Sequence, residues 1–323
     1  MRLRTAFPFA SGHVQTIFPP LLRPRPRISY CRERFELSDG DFVDLDWSRN
    51  AHPSVVVLLH GLEGHSKRTY MLGMARAARL FGHDVLAFNF RGCSGEPNRL
   101  IQMYHSGWTR DLHEVLCALQ QQGVYDQIFL VGFSLGGNIA LKYLGENPAV
   151  VPDSVHGCVG FSVPCDLHNS AQALSRWSCR PYTHYLLGQL REKIVAKARL
   201  YPDALDIRGI EHITTFQQFD DRYTAPLHGF ADAYDYWNKS SCKLYLPHIG
   251  ISTCIVNARN DPFLGPQCYP RAEAMHNACI ELIMPETGGH VGFVPHGHSF
   301  LYWSEWCAMQ FFHQCCAQTR SHK

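Results

Sequence analysis

The segment Q-I-F-L-V-G-F-S-L-G-G-N, residues 127–138, constrains the fold more than any other part of the chain. An apolar run ending at Val131 meets Gly132-Phe133-Ser134-Leu135-Gly136, and a helix-forming stretch follows to Leu144. G-x-S-x-G between a strand and a helix demands a turn so tight that the serine backbone is strained, and a side chain at either glycine would collide with a neighbouring element. Such a turn lifts the Ser134 hydroxyl clear of a sheet. It also sets that hydroxyl at the positive end of the helix, where the Leu135 N–H is free to receive a negatively charged oxygen.

Around this segment, strand-like and helix-like stretches alternate, which predicts crossover connections and a mainly parallel sheet flanked by helices. Residues 31–37 and 41–47 flank Ser38-Asp39-Gly40, a hairpin signal in which Asp-Gly supplies positive φ angles. Strands are expected over 55–59, 85–90, 127–131, 155–162, 252–257 and 280–284. Helices are expected over 68–81, 109–122, 135–144 and 267–277 and from about 299, with Gly82, Gly123 and Gly145 as closing residues. From Pro164 to about Pro247 the rhythm breaks into helical and irregular pieces rich in aromatics, among them Trp177, Tyr182, Tyr236 and Trp237. The chain therefore divides into a core over 1–163 and 248–323 and an inserted lid over 164–247, whose aromatics mostly form its own core.

A serine hydroxyl is a weak nucleophile near neutral pH and needs a base, with a carboxylate to orient that base. In this kind of fold the carboxylate and then the histidine follow the serine in the chain. Asp261 lies in N-A-R-N-D-P just past the strand at 252–257, and His290 lies in T-G-G-H-V-G-F past the strand at 280–284. Gly288 and Gly289 are expected to give that loop freedom to present the ring. A second donor for a negative oxygen should come from H-G-L-E-G, residues 60–64, with Leu62 as the candidate N–H and Glu63 as the alternative in register. His60 precedes this loop and is read as bracing it by hydrogen bonding.

Composition narrows the function further. The 30 basic and 28 acidic residues give a net charge of +2, too small for the broad footprint of a nucleic-acid binder. Seven arginines fall within the first 34 residues against one acid, Glu33, and read as a solvated, proline-rich entry segment. Pro8, Gly12, His13, Pro19 and Pro20 break the apolar run that a secretory signal needs. The aliphatic run Val55 to Leu59 is far short of the roughly 18 residues that span a bilayer, so no transmembrane anchor is expected. Thirteen cysteines with no C-x-x-C pair read as reduced, mostly buried thiols of a cytoplasmic protein. His296 and His298 lie near His290 but lack a matching ligand array, so no metal is expected. Asp220, Asp221 and Arg222 read as a structural ion pair, and Asn89 to Glu96 as a loop at the carboxyl edge of the sheet.

The motifs S-G-H-V-Q-T-I-F-P, D-G-D-F-V-D-L-D-W, H-G-L-E-G, F-R-G-C-S-G-E-P-N, G-F-S-L-G-G-N, F-D-D-R-Y-T-A-P-L-H-G-F, N-A-R-N-D-P-F and G-G-H-V-G-F span nearly the whole chain. Together they resemble the α/β-hydrolase superfamily and, within it, the YheT-like (AB hydrolase 4) group of predicted serine esterases. The resemblance implies a serine hydrolase acting on acyl esters, with Ser134 as nucleophile, His290 as base and Asp261 as the orienting acid. Eukaryotic relatives in that group include membrane-anchored enzymes that cleave phospholipid acyl chains. The expected reaction passes through an acyl-enzyme on a small-molecule ester, short- to medium-chain or lipid-like, and needs no cofactor. Two alternatives stand beside it: an acyltransferase using the same triad, and a non-catalytic binder of a small apolar ligand. The sequence sets no oligomeric state.

Overall fold

The computed structural model describes residue 3, residues 8–295 and residues 300–321. Its frame is one sheet of β1 (Cys31–Glu36), β2 (Phe42–Ser48), β3 (Ser54–Leu59), β4 (Asp84–Asn89), β5 (Gln127–Phe133), β6 (Val155–Phe161), β7 (Thr253–Val256) and β8 (Ile280–Ile283). In space the order is β1-β2-β4-β3-β5-β6-β7-β8. The β1–β2 and β2–β4 pairs are antiparallel and every later pair is parallel. Parallel strands covered on both faces read as continuous apolar runs, and V-V-V-L-L of β3 is buried throughout. Alternate side chains feed two cores. Val55, Val57 and Leu59 join Leu130 on one face; Val56 and Leu58 join Phe129 and Val131 on the other.

The first core packs under helices α3 (Arg110–Gln122) and α4 (Leu135–Glu146). The second packs under α2 (Thr69–Leu80) and α11 (Trp303–Ser321). The hairpin between β1 and β2 uses a positive φ at Gly40 alone, +87°, and Asp39 keeps an ordinary backbone. Ser38, Asp39 and Gly40 form a three-residue loop closed by Leu37 N–H to Asp41 O at 2.9 Å.

Gly145 does not close α4. It sits inside the helix, which runs on to Glu146, and a Cβ there would come within 2.1 Å of the Tyr245 carbonyl oxygen. The glycine serves a close backbone approach rather than a cap. The N-terminal segment also departs from expectation: Gly12–Leu22 forms a helix, α1, with the Ser11 hydroxyl accepting the Val14 N–H. Arg23 is buried against Glu305 of α11 at 2.5 Å, and Arg32 and Arg34 face Asp46 and Asp44 across the β1–β2 ladder. These three arginines are paired structural groups, whereas Arg25 and Arg27 of the proline-rich stretch are exposed as expected; Arg2 and Arg4 lie outside the described residues.

Between β6 and β7 the described elements are helical: α5 (Leu167–Leu174), α6 (Arg180–Leu200), α7 (Phe216–Phe219), a π turn (Asp220–Thr224), α8 (Ala225–His228), α9 (Ala233–Ser240) and single 3-10 turns. Leu187, Ile194, Phe219 and Tyr223 form a small core within this insertion. Tyr236 and Trp237 are buried, whereas Trp177 is 79% exposed. Beyond β7 the helix α10 is shorter than expected, Arg271–His276. Among the described residues no two cysteines are joined by a disulfide. Among the described residues no helix is long and apolar enough to cross a membrane.

Candidate active site

Ser134 stands at the break between β5 and α4 with φ +52° and ψ −120°, a strained backbone that the tight turn forces on a non-glycine residue. The glycines around it make the turn physically possible. A Cβ at Gly132 would meet Gly137 Cα at 2.4 Å, and one at Gly136 would meet the Leu59 and His60 carbonyls at 2.5 Å. The Ser134 N–H is used by Phe161 O, which ties the turn to β6.

His290 Nε2 lies 3.0 Å from Ser134 Oγ. Its Nδ1 lies 3.1 and 3.0 Å from the two carboxylate oxygens of Asp261, whose side chain is buried. With the proton on Nδ1, His290 donates to Asp261 and accepts from the serine hydroxyl. Asp261 is itself held by the Phe263 N–H at 2.9 Å, and the Phe263 ring stacks on His290 with centroids 4.1 Å apart. Residues 156 and 29 positions apart in the chain thus meet in one line.

Helix α1 holds the histidine loop, a role that no local signal announced. Thr16 Oγ1 accepts the His290 N–H at 2.9 Å and donates to Gly12 O at 2.7 Å. Asn260 Oδ1 accepts the N–H groups of Gly288 and Gly289, and its amide donates to Ala10 O. Gly289 has φ +57°, and a Cβ there would lie 2.5 Å from Gly12 O. These glycines permit close packing of the loop against α1; they do not loosen it. Val291 and Phe293 also take positive φ, and Ser162 Oγ accepts the Val291 N–H at 2.9 Å.

The loop after β3 approaches from the other side, where a Cβ at Gly61 would sit 3.3 Å from Ser134 Cβ. Tyr70 OH accepts the Gly61 N–H at 3.1 Å, and Tyr104 OH accepts the Glu63 N–H at 2.8 Å. Glu63 is therefore not the alternative donor: its N–H is already committed. The N–H of Leu62 has no partner among the described residues, and that of Leu135, at the first position of α4, has none within its helix. Glu63 has φ +50°, and its carboxylate is gripped by Tyr104 OH at 2.8 Å and by Lys193 Nζ of α6 at 2.7 Å. Burial works against the Lys193 charge, but the adjacent Cys93 and Glu63 shift its pKa upward overall, so the ammonium stays charged. His60 Nδ1 donates to Gly61 O at 2.7 Å and Nε2 accepts from Phe90 N–H at 3.2 Å. Full burial drives the His60 pKa down to about 3, so the ring is a neutral brace.

Ser134, His290 and Leu62 open onto a cavity of about 860 Å³, walled largely by apolar side chains such as Leu167, Leu174, Leu186 and Phe216. The expected ion pair of Asp220, Asp221 and Arg222 does not form. Arg222 turns to the carbonyls of Asp206 and Arg208, Asp221 accepts the Ala233 N–H, and Asp220 faces inward to accept from Trp237 Nε1 at 2.8 Å. Among the described residues no group of three or more His, Cys, Asp or Glu side chains could hold a metal ion. His296 and His298 lie outside the described residues.

Residues 54–296 match a family model described as "alpha/beta hydrolase fold". The chain belongs to the α/β-hydrolase family. It is 36% identical over 304 residues to the Escherichia coli protein named "Putative esterase YheT", covering 92% of this chain and 88% of that one. It is 27% identical to mouse phospholipase ABHD3, covering 87% of this chain and 70% of that one. Among solved structures, an esterase of Pyrococcus furiosus superimposes with a TM-score of 0.60 at 16% identity, covering 91% of this chain and 96% of that one. This α/β hydrolase is a YheT-like enzyme of the esterase and lipase type, a carboxylic ester hydrolase.

Proposed function

We propose that this hydrolase cleaves acyl esters, short- to medium-chain or lipid-like, through Ser134, His290 and Asp261. Ser134 Oγ attacks the ester carbonyl while His290 Nε2 takes its proton, and Asp261 stabilises the imidazolium that forms. The carbonyl oxygen gains negative charge between the N–H groups of Leu62 and Leu135, donors that need no reorganisation at the moment of reaction. Protonated His290 then gives its proton to the leaving alcohol. An acyl-enzyme remains, and water deprotonated by His290 releases the acid and restores Ser134.

The observation that carries this reading is the unbroken hydrogen-bonded line from Asp261 through His290 to Ser134 Oγ, beside the two uncommitted N–H groups. In the same reading, residues 164–247 act as a lid over the core formed by 1–163 and 248–323; the cavity lined by α5, α6 and the elbow supports it. The test is intact-mass detection of a fluorophosphonate adduct on the parent protein and on Ser134→Ala. One adduct on the parent and none on the variant is the expected result. An adduct that survives in Ser134→Ala, or none on a folded parent, removes Ser134 from the mechanism.

A further inference from the structure

The motif F-D-D-R-Y-T-A-P-L-H-G-F has no part in the chemistry above. Its residues 220–224 form a π turn between the single turns α7 and α8. π turns are rare and concentrate at functional sites. Asp220, Thr224 and His228, spaced four apart through this turn, all line the cavity that Ser134 opens onto. They lay a polar stripe along a largely apolar wall.

Asp220 is 8% exposed and has no cation within ion-pair distance among the described residues. Its Oδ1 accepts from Thr224 Oγ1 at 2.6 Å and its Oδ2 from Trp237 Nε1 at 2.8 Å, which leaves each oxygen one further position. Neither ring nitrogen of His228 has a hydrogen-bond partner among the described residues, and Oε1 of Gln189, a residue of α6 on the same cavity, is buried without one. Polar atoms away from bulk water are nearly always paired in native structures, so unpaired atoms on two residues that line one cavity point to a polar group of a ligand.

The chemistry of that group follows from what surrounds it. Burial and the Arg91 charge hold His228 down to about 4, and burial pushes the Asp220 carboxyl up to about 7 while its two hydrogen bonds pull the other way. The stripe thus offers no cation to an anionic ligand. A hydroxyl both donates and accepts, so it can pair with the His228 ring in either tautomer and with Asp220 in either protonation state.

We propose that Asp220, Thr224 and His228 form a subsite that hydrogen-bonds a hydroxyl group carried by the ester substrate, so that the enzyme selects hydroxylated esters over alkyl esters of the same size. The proposal rests on the serine-esterase reading above. Two matched pairs test it and distinguish where the hydroxyl sits: 2-hydroxyethyl against propyl esters, and hydroxyacyl against plain acyl esters. One pair should show a kcat/KM preference of about tenfold for the hydroxylated member, the worth of one hydrogen bond. In His228→Leu, and independently in Thr224→Val and Asp220→Ala, that ratio should fall towards one. The other two variants decide the matter if His228→Leu does not fold. Equal rates within both pairs in the parent, or a ratio that survives in the folded variants, overturns the subsite. So does a preference for 2-aminoethyl over 2-hydroxyethyl esters, which would make Asp220 a partner for a cation. Fluorophosphonate labelling of the parent separates the two failures: labelling with flat ratios sinks the subsite alone, and no labelling with no ester turnover sinks the esterase reading and the subsite together.

Discussion

The contact between Lys193 and Glu63 joins the helical insertion to the loop that carries Leu62, and Lys193→Met breaks it. The side chains are 12% and 7% exposed, and the ammonium lies 2.7 Å from Oε1. Removing one partner of a buried pair costs about 3–5 kcal/mol, because it strands the other charge. Tyr104 OH still donates to Glu63 at 2.8 Å, which offsets about 1 kcal/mol, so folding stability should fall by roughly 2–4 kcal/mol. The stranded carboxylate can also turn towards water, which leaves the backbone bonds of Glu63, N–H to Tyr104 OH and O from Arg68, to hold φ +50° without the side-chain anchor, a conformation that costs about 1–3 kcal/mol. Relaxation there swings the preceding Leu62 N–H off its aim. Losing an oxyanion donor outright costs about 10²–10³ in kcat. A donor that is misdirected but present should cost about 10- to 100-fold, with KM little changed, because the bond forms fully only in the transition state. The assay is steady-state turnover of one ester by the parent, Lys193→Met, Glu63→Gln and the double variant, with urea denaturation of each. The double variant restores a neutral pair and should recover about 1 kcal/mol or more over the sum of the single effects. A folded Lys193→Met with the parent's kcat, or a loss confined to KM, would refute the coupling of this ion pair to the oxyanion loop.

Thr16→Val keeps the shape of α1 but removes the acceptor of the His290 N–H; it should lower kcat roughly tenfold and stability by about 1–3 kcal/mol, read by turnover and urea denaturation. Gly145→Ala would gain up to about 1 kcal/mol in a free helix. Here its Cβ would meet the Tyr245 carbonyl at 2.1 Å, so a net loss of about 1–3 kcal/mol is expected in the urea midpoint, and a gain would contradict the packing role of the glycine. Asp220 keeps its proton in the folded chain up to about pH 7, whereas the unfolded chain gives it up near 3.9. The folded state therefore binds the extra proton between those values, and stability should fall as pH rises from about 4 to 7. Asp220→Asn should remove up to about 4 kcal/mol of that decline, and parallel stability curves for parent and variant would count against it.

Much of the fold was legible in the sequence because its signals are local. The run V-V-V-L-L has the continuous hydrophobicity of a doubly covered strand, Gly82 and Gly123 mark helix ends by left-handed backbone, and the elbow glycines answer a steric demand within a few residues of Ser134. Asp261 and His290 stood out as candidates because chain order and strand-end position narrow nineteen histidines to one. Where several uses of one residue were locally equivalent, the reading went astray. Gly145 looks like a cap to its neighbours in the chain, and only Tyr245, 100 residues on, makes it a contact glycine. Pro19 and Pro20 argue against a helix locally, yet α1 forms because its buried Gln15 donates to Phe9 O and accepts the Val294 N–H across 279 residues.

The sequence by itself determined the order of strands and helices along the chain, the strained serine turn and the pool of residues able to do acyl chemistry, since propensity, periodicity and sterics act over a few residues. The tertiary structure alone decided which N–H groups stay uncommitted, that Thr16 supports His290 from 274 residues away, and that Asp220 lines the cavity with no cation within ion-pair distance among the described residues. Those outcomes depend on which distant surfaces reach one another first to bury apolar area and satisfy buried polar atoms, a competition settled by the whole packed chain.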